Sequence, residues 1–406
     1  MSKDDRFDVV VAGGGLTGTA LALGMAQQGW QVALVEAATE EQMSTVPPKP
    51  RDVAGFESRV SAISVASQRL LASLGVWQRL DPQRLCPYQR MVVWDGDGTG
   101  RIEFGAADLQ VPALGTIIEN RLLVSALYQA AADAGVALIT GTPLTGWWES
   151  AGERGVTVGA ERRITAGLVV AADGPQSRLR QWVGLPTREW DYRQQAIVCS
   201  VETVQPHQAT AWQRFSTTGP LAFLPLYTGD EGGHFCSVVW SQDAREADRL
   251  MALDDDAFAR ALENAIEQQL GQVIRVSARH AFPLRQRHAK SYVRPGFALV
   301  GDAAHSIHPL AGQGANLGYS DVRVLLEELD GARSRSLAPG DPVLLARYQR
   351  RRKGENLAMM AAMEGFKQLF GREELPLRWL RNTGLRWLDQ APALKNRLAA
   401  QAMGLH

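Results

Sequence analysis

Val9-Val-Val-Ala-Gly-Gly-Gly-Leu-Thr-Gly18 runs from an apolar stretch straight into glycines spaced G-x-G-x-x-G. Phe7 to Ala12 is a Val-rich run of the kind that forms a parallel strand buried on both faces. Gly13 and Gly15 permit a tight turn and let the backbone approach a pyrophosphate. Gly18 lets the next helix lie close to the strand. That helix reads from Leu16 to Gln28, with Leu16 and Thr17 at the end whose free N–H groups and dipole attract an anion. Gly29 ends it, and Gln31 to Val35 forms the next strand. Glu36 follows 18 residues after Gly18, where a carboxylate accepts hydrogen bonds from ribose hydroxyls. A chance Gly-rich turn would lack these flanking elements, so the segment predicts a bound dinucleotide.

Composition sets the frame. The chain has 406 residues, 45% hydrophobic and 21% charged, enough for two or three domains or one two-lobed unit with a large core. The 43 basic and 43 acidic side chains balance, which argues against a nucleic-acid partner. Cys86, Cys199 and Cys236 are odd in number and far apart, with no C-x-x-C. They predict reduced thiols in a cytoplasmic protein, with neither a disulfide frame nor a metal site. A polar start and the lack of a long apolar run predict neither a secretory signal nor a membrane span.

Along the chain, the Pro-rich stretch Glu40 to Gly55 reads as a mobile loop and Ser58 to Leu74 as a helical segment. Met91 to Trp94 and Arg101 to Phe104 read as strands around a Gly-rich turn, and Arg121 to Ala134 as an amphipathic helix closed by Gly135. Leu168 to Ala172 is a further buried strand. Ala196 to Val201, Trp212 to Phe215, Ala222 to Leu226 and Phe235 to Trp240 alternate as in an antiparallel sheet with one covered face. Asp256 to Leu270 is a helix, Gly296 to Gly301 a buried strand and Asn316 to Leu329 a helix.

Two later turns sharpen the reading: Ala171-Ala-Asp-Gly-Pro-Gln-Ser-Arg-Leu-Arg180 and Val300-Gly-Asp-Ala-Ala-His-Ser-Ile-His-Pro309. With the first turn, and in this order, they resemble the FAD-dependent aromatic monooxygenases of the para-hydroxybenzoate hydroxylase class. Arg59-Val-Ser-Ala-Ile63, Leu74-Gly-Val-Trp77, Ile118-Glu-Asn120, Ala222-Phe-Leu-Pro-Leu226, Ser237-Val-Val-Trp240 and Gly301 to Gly314 resemble the ubiquinone-biosynthesis hydroxylases within it. The resemblance implies an α/β fold: a Rossmann-like FAD-binding domain in three pieces (1–80, 119–184, 285–335), interleaved with an antiparallel-sheet substrate domain (81–118, 185–284) and followed by C-terminal helices (336–406).

It also implies roles. Asp302 would contact the ribityl hydroxyls, since a carboxylate accepts two hydrogen bonds at once. Pro309, Gly312, Gly314, Ala315 and Asn316 would bring backbone amides to the isoalloxazine edge. Asp173, with Ser177 and Arg180, matches the motif D-G-x-x-S-x-x-R that supports the flavin and the nicotinamide donor. Arg59 matches an arginine near the flavin and the substrate entrance. Asn120 stands where many members of the class carry a phosphate-clamping Arg, which weakens any such role for its neighbour Arg121.

The implied reaction uses FAD, O2 and electrons from NAD(P)H or a reductase protein to hydroxylate a polyprenylated phenol or quinol through a C4a-hydroperoxyflavin. His305 and His308 are candidates for proton traffic, Pro309 for the catalytic loop, and Phe223, Pro225, Leu226 and Trp240 for the substrate wall. Alternation lets only every second wall residue face a pocket. The alternatives are another FAD enzyme on the same fold, a polyprenyl reductase or a halogenase, or a flavin-binding assembly component without turnover. The halogenase motif W-x-W-x-I-P is absent from the chain. From Arg347 to His406 there are twelve basic and five acidic side chains. Within that region Leu375 to Leu388 mixes Trp379 and Trp387 with Arg378, Arg381 and Arg386. The segment either docks on the inner face of a membrane or on a ubiquinone-biosynthesis complex, or packs on the core with a solvated basic face.

Overall fold

The computed structural model describes residues 5–150, 152–227, 233–306, 313–370, 383–384, 387 and 389–404. Strand Asp5–Ala12 lies at the centre of the first sheet, with Val9, Val10, Val11 and Ala12 wholly buried. Parallel strands run in the order Phe297–Leu299, Arg162–Ala171, Asp5–Ala12, Val32–Val35, Ala137–Ile139. The hairpin Leu144–Ser150 and Glu153–Val158 pairs antiparallel onto Arg162–Ala171. Helix Leu16–Gln27 packs against helices Asn120–Asp133 and Gln313–Arg333, and its small residues bring it close: a Cβ on Gly24 would lie 2.4 Å from Leu326.

The second sheet runs His305–Ser306, His280–Ala289, Thr187–Thr203, Phe235–Asp243, Leu221–Leu226, Thr210–Phe215, Arg90–Asp95, Arg101–Gly105, with Val273–Val276 beside Thr187–Thr203. It is antiparallel apart from one parallel pairing, Thr210–Phe215 with Arg90–Asp95. A small sheet of Val60–Ser64, Gly115–Glu119 and Cys86–Tyr88 lies between the two.

Several expectations change. Leu221–Leu226 is buried along its whole length, so both faces of this sheet are covered there. Helices Ala244–Met251 and Asp255–Ala265 cover one face, and the small sheet covers the other. The segment read as a helix from Ser58 begins as strand Val60–Ser64 and becomes helix Val65–Ser73 only where the Ser64 hydroxyl caps Ser67. The Pro-rich stretch carries local structure and a tertiary tie. Glu40–Ser44 is a helix with a Thr39/Gln42 capping box, and buried Arg84 donates to the Pro47 carbonyl and pairs with Glu119. Tertiary partners on residues 84 and 119, remote in sequence, hold what local composition read as mobile.

Helix Pro342–Phe370 crosses both sheets. The Tyr348 hydroxyl donates to the Leu299 carbonyl at 2.7 Å, and Phe370 lies 4.5 Å from Phe215, ring to ring. Helix Pro392–Ala402 packs on the core: Asn396 donates to the Asp108 carbonyl at 3.0 Å, and Met403 is buried. Trp387 is 62% exposed, while most of Leu375 to Leu388 lies outside the described residues. The three cysteines are buried free thiols, and burial pushes Cys86 and Cys199 up to about 12.

Where the sheets join, the buried Tyr292 hydroxyl and His288 Nε2 are 2.9 Å apart. Burial, then the nearby charges of His305, Lys353 and Arg188, push His288 down to about 4 from its ordinary 6.5. The unfolded chain therefore binds more protons between those values. This stability is fully present above the unfolded value and is lost as pH falls toward the folded one. We expect the melting temperature to drop between about pH 7 and about pH 5, and the drop to be shallower in His288→Gln. Equal slopes for the two proteins in a pH series of thermal melts would assign the loss to other groups.

Candidate functional site: a cradle of three turns

Register decides where the three turns meet. Ala12 lies opposite Ala171, and Ala171 lies opposite Leu299. The strands thus end level, and the Gly-rich, Asp-Gly and Gly-Asp turns emerge side by side at the carboxyl edge of the sheet, where ligands of such sheets bind. The contacts are backbone-close. A Cβ on Gly13 (φ +107°) would lie 2.3 Å from the Ala172 carbonyl oxygen. One on Gly18 would lie 2.0 Å from the Gly13 carbonyl oxygen, and one on Gly301 (φ +57°) 2.9 Å from Thr17 Oγ1. Thr17 also fills the space beside Gly318. Arg180 ties the second and third turns together, donating to the Pro175 carbonyl at 3.0 Å and to the Ala303 carbonyl at 2.7 Å.

Gly15 differs from its neighbours. It is exposed, and a Cβ there would meet nothing within 4 Å, so packing does not demand a glycine. Helix Leu16–Gln27 starts at Gly15 with no side-chain cap and no acid in its first turn. Its leading N–H groups are therefore left for an outside anion. Leu16 is half-buried against the core. Glu36 accepts from Gly14 N at 2.5 Å through one oxygen and from Ala38 N at 2.8 Å through the other. A lone pair on each oxygen is left for a ribose. Asp173 accepts from Leu179 N at 3.3 Å, while its Oδ1 is buried with no protein partner. An anion-seeking helix end, an open Gly15 and an orphaned buried oxygen all fit a dinucleotide.

Asp302 is open to solvent by surface area, yet enough protein surrounds it that desolvation raises its pKa, against the lowering charges of His305 and Arg59. A carboxylate at the floor of a crevice satisfies both observations. Arg59 is exposed, 5.6 Å over the Phe282 ring. Asn120 donates its backbone N–H to the Arg59 carbonyl at 3.0 Å and accepts from Ser61 at 2.7 Å, whereas Arg121 pairs with Glu57. Asn316 accepts from Ser64 N at 2.9 Å and donates to the Ala62 carbonyl at 2.8 Å. It acts as a substitute strand at the edge of Val60–Ser64, which leaves only its backbone for a cofactor. Ala315 is half-buried and packs on the core, and a Cβ on Gly314 would meet nothing within 4 Å. His308, Pro309 and Gly312 lie outside the described residues.

Two expectations are corrected. His305 is buried, with Nε2 2.6 Å from Asp321 Oδ2 and its ring against Tyr292; it faces the core, not the crevice. Phe223 and Trp240 belong to the core under the outer helices, Trp240 lying 6.1 Å from Phe258. Pro225 falls in the same alternating set as Phe223. The opposite face carries Ala222, Leu224 and Leu226 with Val239 and Phe235, packed on Ala62 and Ile117 of the small sheet; of the expected wall residues, Leu226 lies there. Sequence reading missed Asp321, although an acid spaced i, i+4 between Leu317 and Leu325 in an apolar stripe is itself a signal.

The glycines can be separated experimentally. Gly13→Ala and Gly18→Ala should each lower folding stability by about 2–4 kcal/mol, measured by urea unfolding without ligand. Gly15→Ala should leave that stability nearly unchanged but weaken FAD binding about tenfold or more. Unchanged FAD affinity in Gly15→Ala would remove the pyrophosphate from this turn.

A family model described as an FAD binding domain matches residues 6–362. The chain is 38% identical over 399 residues to the 3-demethoxyubiquinol 3-hydroxylase of Escherichia coli strain K12, covering 98% of both chains. It is 32% identical over 449 residues to the mitochondrial ubiquinone biosynthesis monooxygenase COQ6 of Danio rerio, covering 99% of this chain and 90% of that one. Its fold matches the crystal structure of p-nitrophenol 4-monooxygenase PnpA from Pseudomonas putida DLL-E4 with TM-score 0.78 at 17% identity, covering 99% of each chain. A level row of strand ends, an open anion-binding helix and full-length similarity lead to one statement: the chain belongs to the FAD-binding monooxygenase family that includes the ubiquinone-pathway hydroxylases.

Proposed function

We propose that this protein is an FAD-dependent monooxygenase that hydroxylates the aromatic ring of a polyprenylated phenol or benzoquinol intermediate of ubiquinone biosynthesis. NAD(P)H or a reductase protein supplies electrons, and O2 is the co-substrate. One observation carries the reading. Three turns meet at the carboxyl edge of one sheet, in a chain 38% identical over nearly its full length to a 3-demethoxyubiquinol 3-hydroxylase.

Bound FAD supplies the redox and oxygen-activating chemistry. The chain's own residues bind, orient and exclude water. The N–H groups after Gly15 hold the pyrophosphate, Glu36 the ribose, and Asp302 the ribityl hydroxyls. Asn120 and Asn316 fix the strand that follows Arg59, and Gly314 and Ala315 would bring backbone to the ring. Ala222, Leu224, Leu226 and Val239, packed with Ala62 and Ile117 of the small sheet, form an apolar block that would help keep water from the substrate ring. A phenol activates its own ring positions. The reaction therefore needs no strong protein base, in keeping with a His305 turned into the core.

Location follows from the substrate. A polyprenyl tail confines it to a membrane, and no helix among the described residues is long and apolar enough to cross one. The basic, Trp-containing stretch from Arg378 to exposed Trp387 would hold the enzyme on the inner face, alone or within a biosynthetic complex. Flotation with anionic liposomes should carry the full chain and not a variant combining Arg378→Gln, Arg381→Gln, Arg386→Gln and Trp387→Ser. Equal flotation would end this part of the proposal.

Incubation of the FAD-loaded enzyme with 2-polyprenylphenol and related ring intermediates should yield a product heavier by one oxygen atom, dependent on donor and O2. Leu226→Asp should couple less donor oxidation to product and release more hydrogen peroxide. Saturation of a polyprenyl chain would point to a reductase. Bound flavin with no donor-dependent oxygen uptake on any of these compounds would point to a non-catalytic component.

A further inference from the structure

Asp321 sits in the buried stripe of helix Gln313–Arg333 and is wholly shielded from solvent. Its Oδ2 accepts from Gly301 N at 2.9 Å and lies 2.6 Å from His305 Nε2. Its Oδ1 accepts from Arg352 Nε at 2.7 Å. Arg352 is 1% exposed, donates to Asn356 Oδ1 at 2.7 Å and pairs with Glu355. An isolated buried carboxylate would take up a proton, but with Arg352 beside it the charged form persists. The His305 ring is held against Tyr292 at 5.9 Å, and Asn356 donates to the Tyr292 hydroxyl at 3.2 Å.

Asp302 lies between the two groups that this carboxylate grips, Gly301 before it and His305 after it. We infer that Asp321, His305 and Arg352 form a positioning unit that aims Asp302 into the crevice and presets the third turn before the cofactor arrives. This inference rests on the reading that Asp302 faces FAD. The unit also couples that turn to helix Pro342–Phe370, whose far end is docked on the second sheet by Phe370 against Phe215 and by Glu364 near the Tyr192 hydroxyl. Cofactor geometry and substrate sheet thus share one rigid support. His305 is a positioning residue here: it acts through Asp321 and Asp302.

The test compares His305→Gln, which keeps an N–H for Asp321, with His305→Leu, which does not. FAD dissociation constants, the visible absorption bands of the bound flavin and melting of the apoprotein are measured together. Expected are wild-type bands and an affinity within about threefold for His305→Gln. His305→Leu should bind about tenfold or more weakly, with displaced bands and an apoprotein that still melts cooperatively. Wild-type affinity and bands in His305→Leu would overturn the inference, as would weakening that merely follows a smaller folded fraction. Should His305→Leu fail to fold, Arg352→Lys keeps the charge without the guanidinium fork. Displaced bands in that variant support the unit, and wild-type bands overturn it. A wild-type chain that takes up no FAD would instead remove the placement of FAD against Asp302, so the two failures are told apart.

Discussion

Level strand ends are the constraint on which the site depends. Because Ala12, Ala171 and Leu299 share one row of the parallel ladder, three turns from distant parts of the chain leave the sheet at the same height. They then pack backbone to backbone, with Gly13 on Ala172 and Thr17 beside Gly301. Contacts this close leave no room for a methyl group, so one turn cannot shift without moving the next. The cradle is in this sense a property of register, and the glycines are its condition.

The third turn has a second duty. Strand Phe297–Leu299 belongs to the parallel sheet, and strand His305–Ser306 pairs with the edge of the other sheet. The chain between them carries Asp302 and is one of the covalent bridges between the two layers. Buried charge reinforces it: Arg180 clamps its Ala303 carbonyl from the second turn, and Asp321 holds its two ends. Removing one partner of a buried ion pair such as Asp321–Arg352 typically costs about 3–5 kcal/mol, because the other charge is stranded. A site meant to keep a redox ring and an aromatic substrate in fixed relation gains from such stiffness.

How much could be read in advance follows the range of the interactions. The strand–turn–helix from Phe7 to Gln28 was legible because local periodicity and glycine spacing specify it, and the observed elements Asp5–Ala12 and Leu16–Gln27 agree to within two residues. Val60–Ser64 was misread, because its strand character comes from Gly115–Glu119 and the side chain of Asn316, not from its own pattern. In the Pro-rich stretch, likewise, the contact from buried Arg84 comes from outside its own pattern. The wall strand was found, but its two faces could not be told apart. Phe223 and Trp240 face the outer helices, while Leu224, Leu226 and Val239 face the small sheet.

The sequence by itself determined the dinucleotide turn, the order of the three motifs and the family they resemble, because each rests on residues close together in the chain. Tertiary structure alone decided that Gly15 is the glycine free for a ligand while Gly13 and Gly18 serve packing. It alone decided that His305 answers to Asp321, and which side of the wall strand packs on the small sheet. The physical reason is common to all three. Each depends on what packs against a residue from a remote segment, and a strand or turn viewed alone offers either of its faces equally.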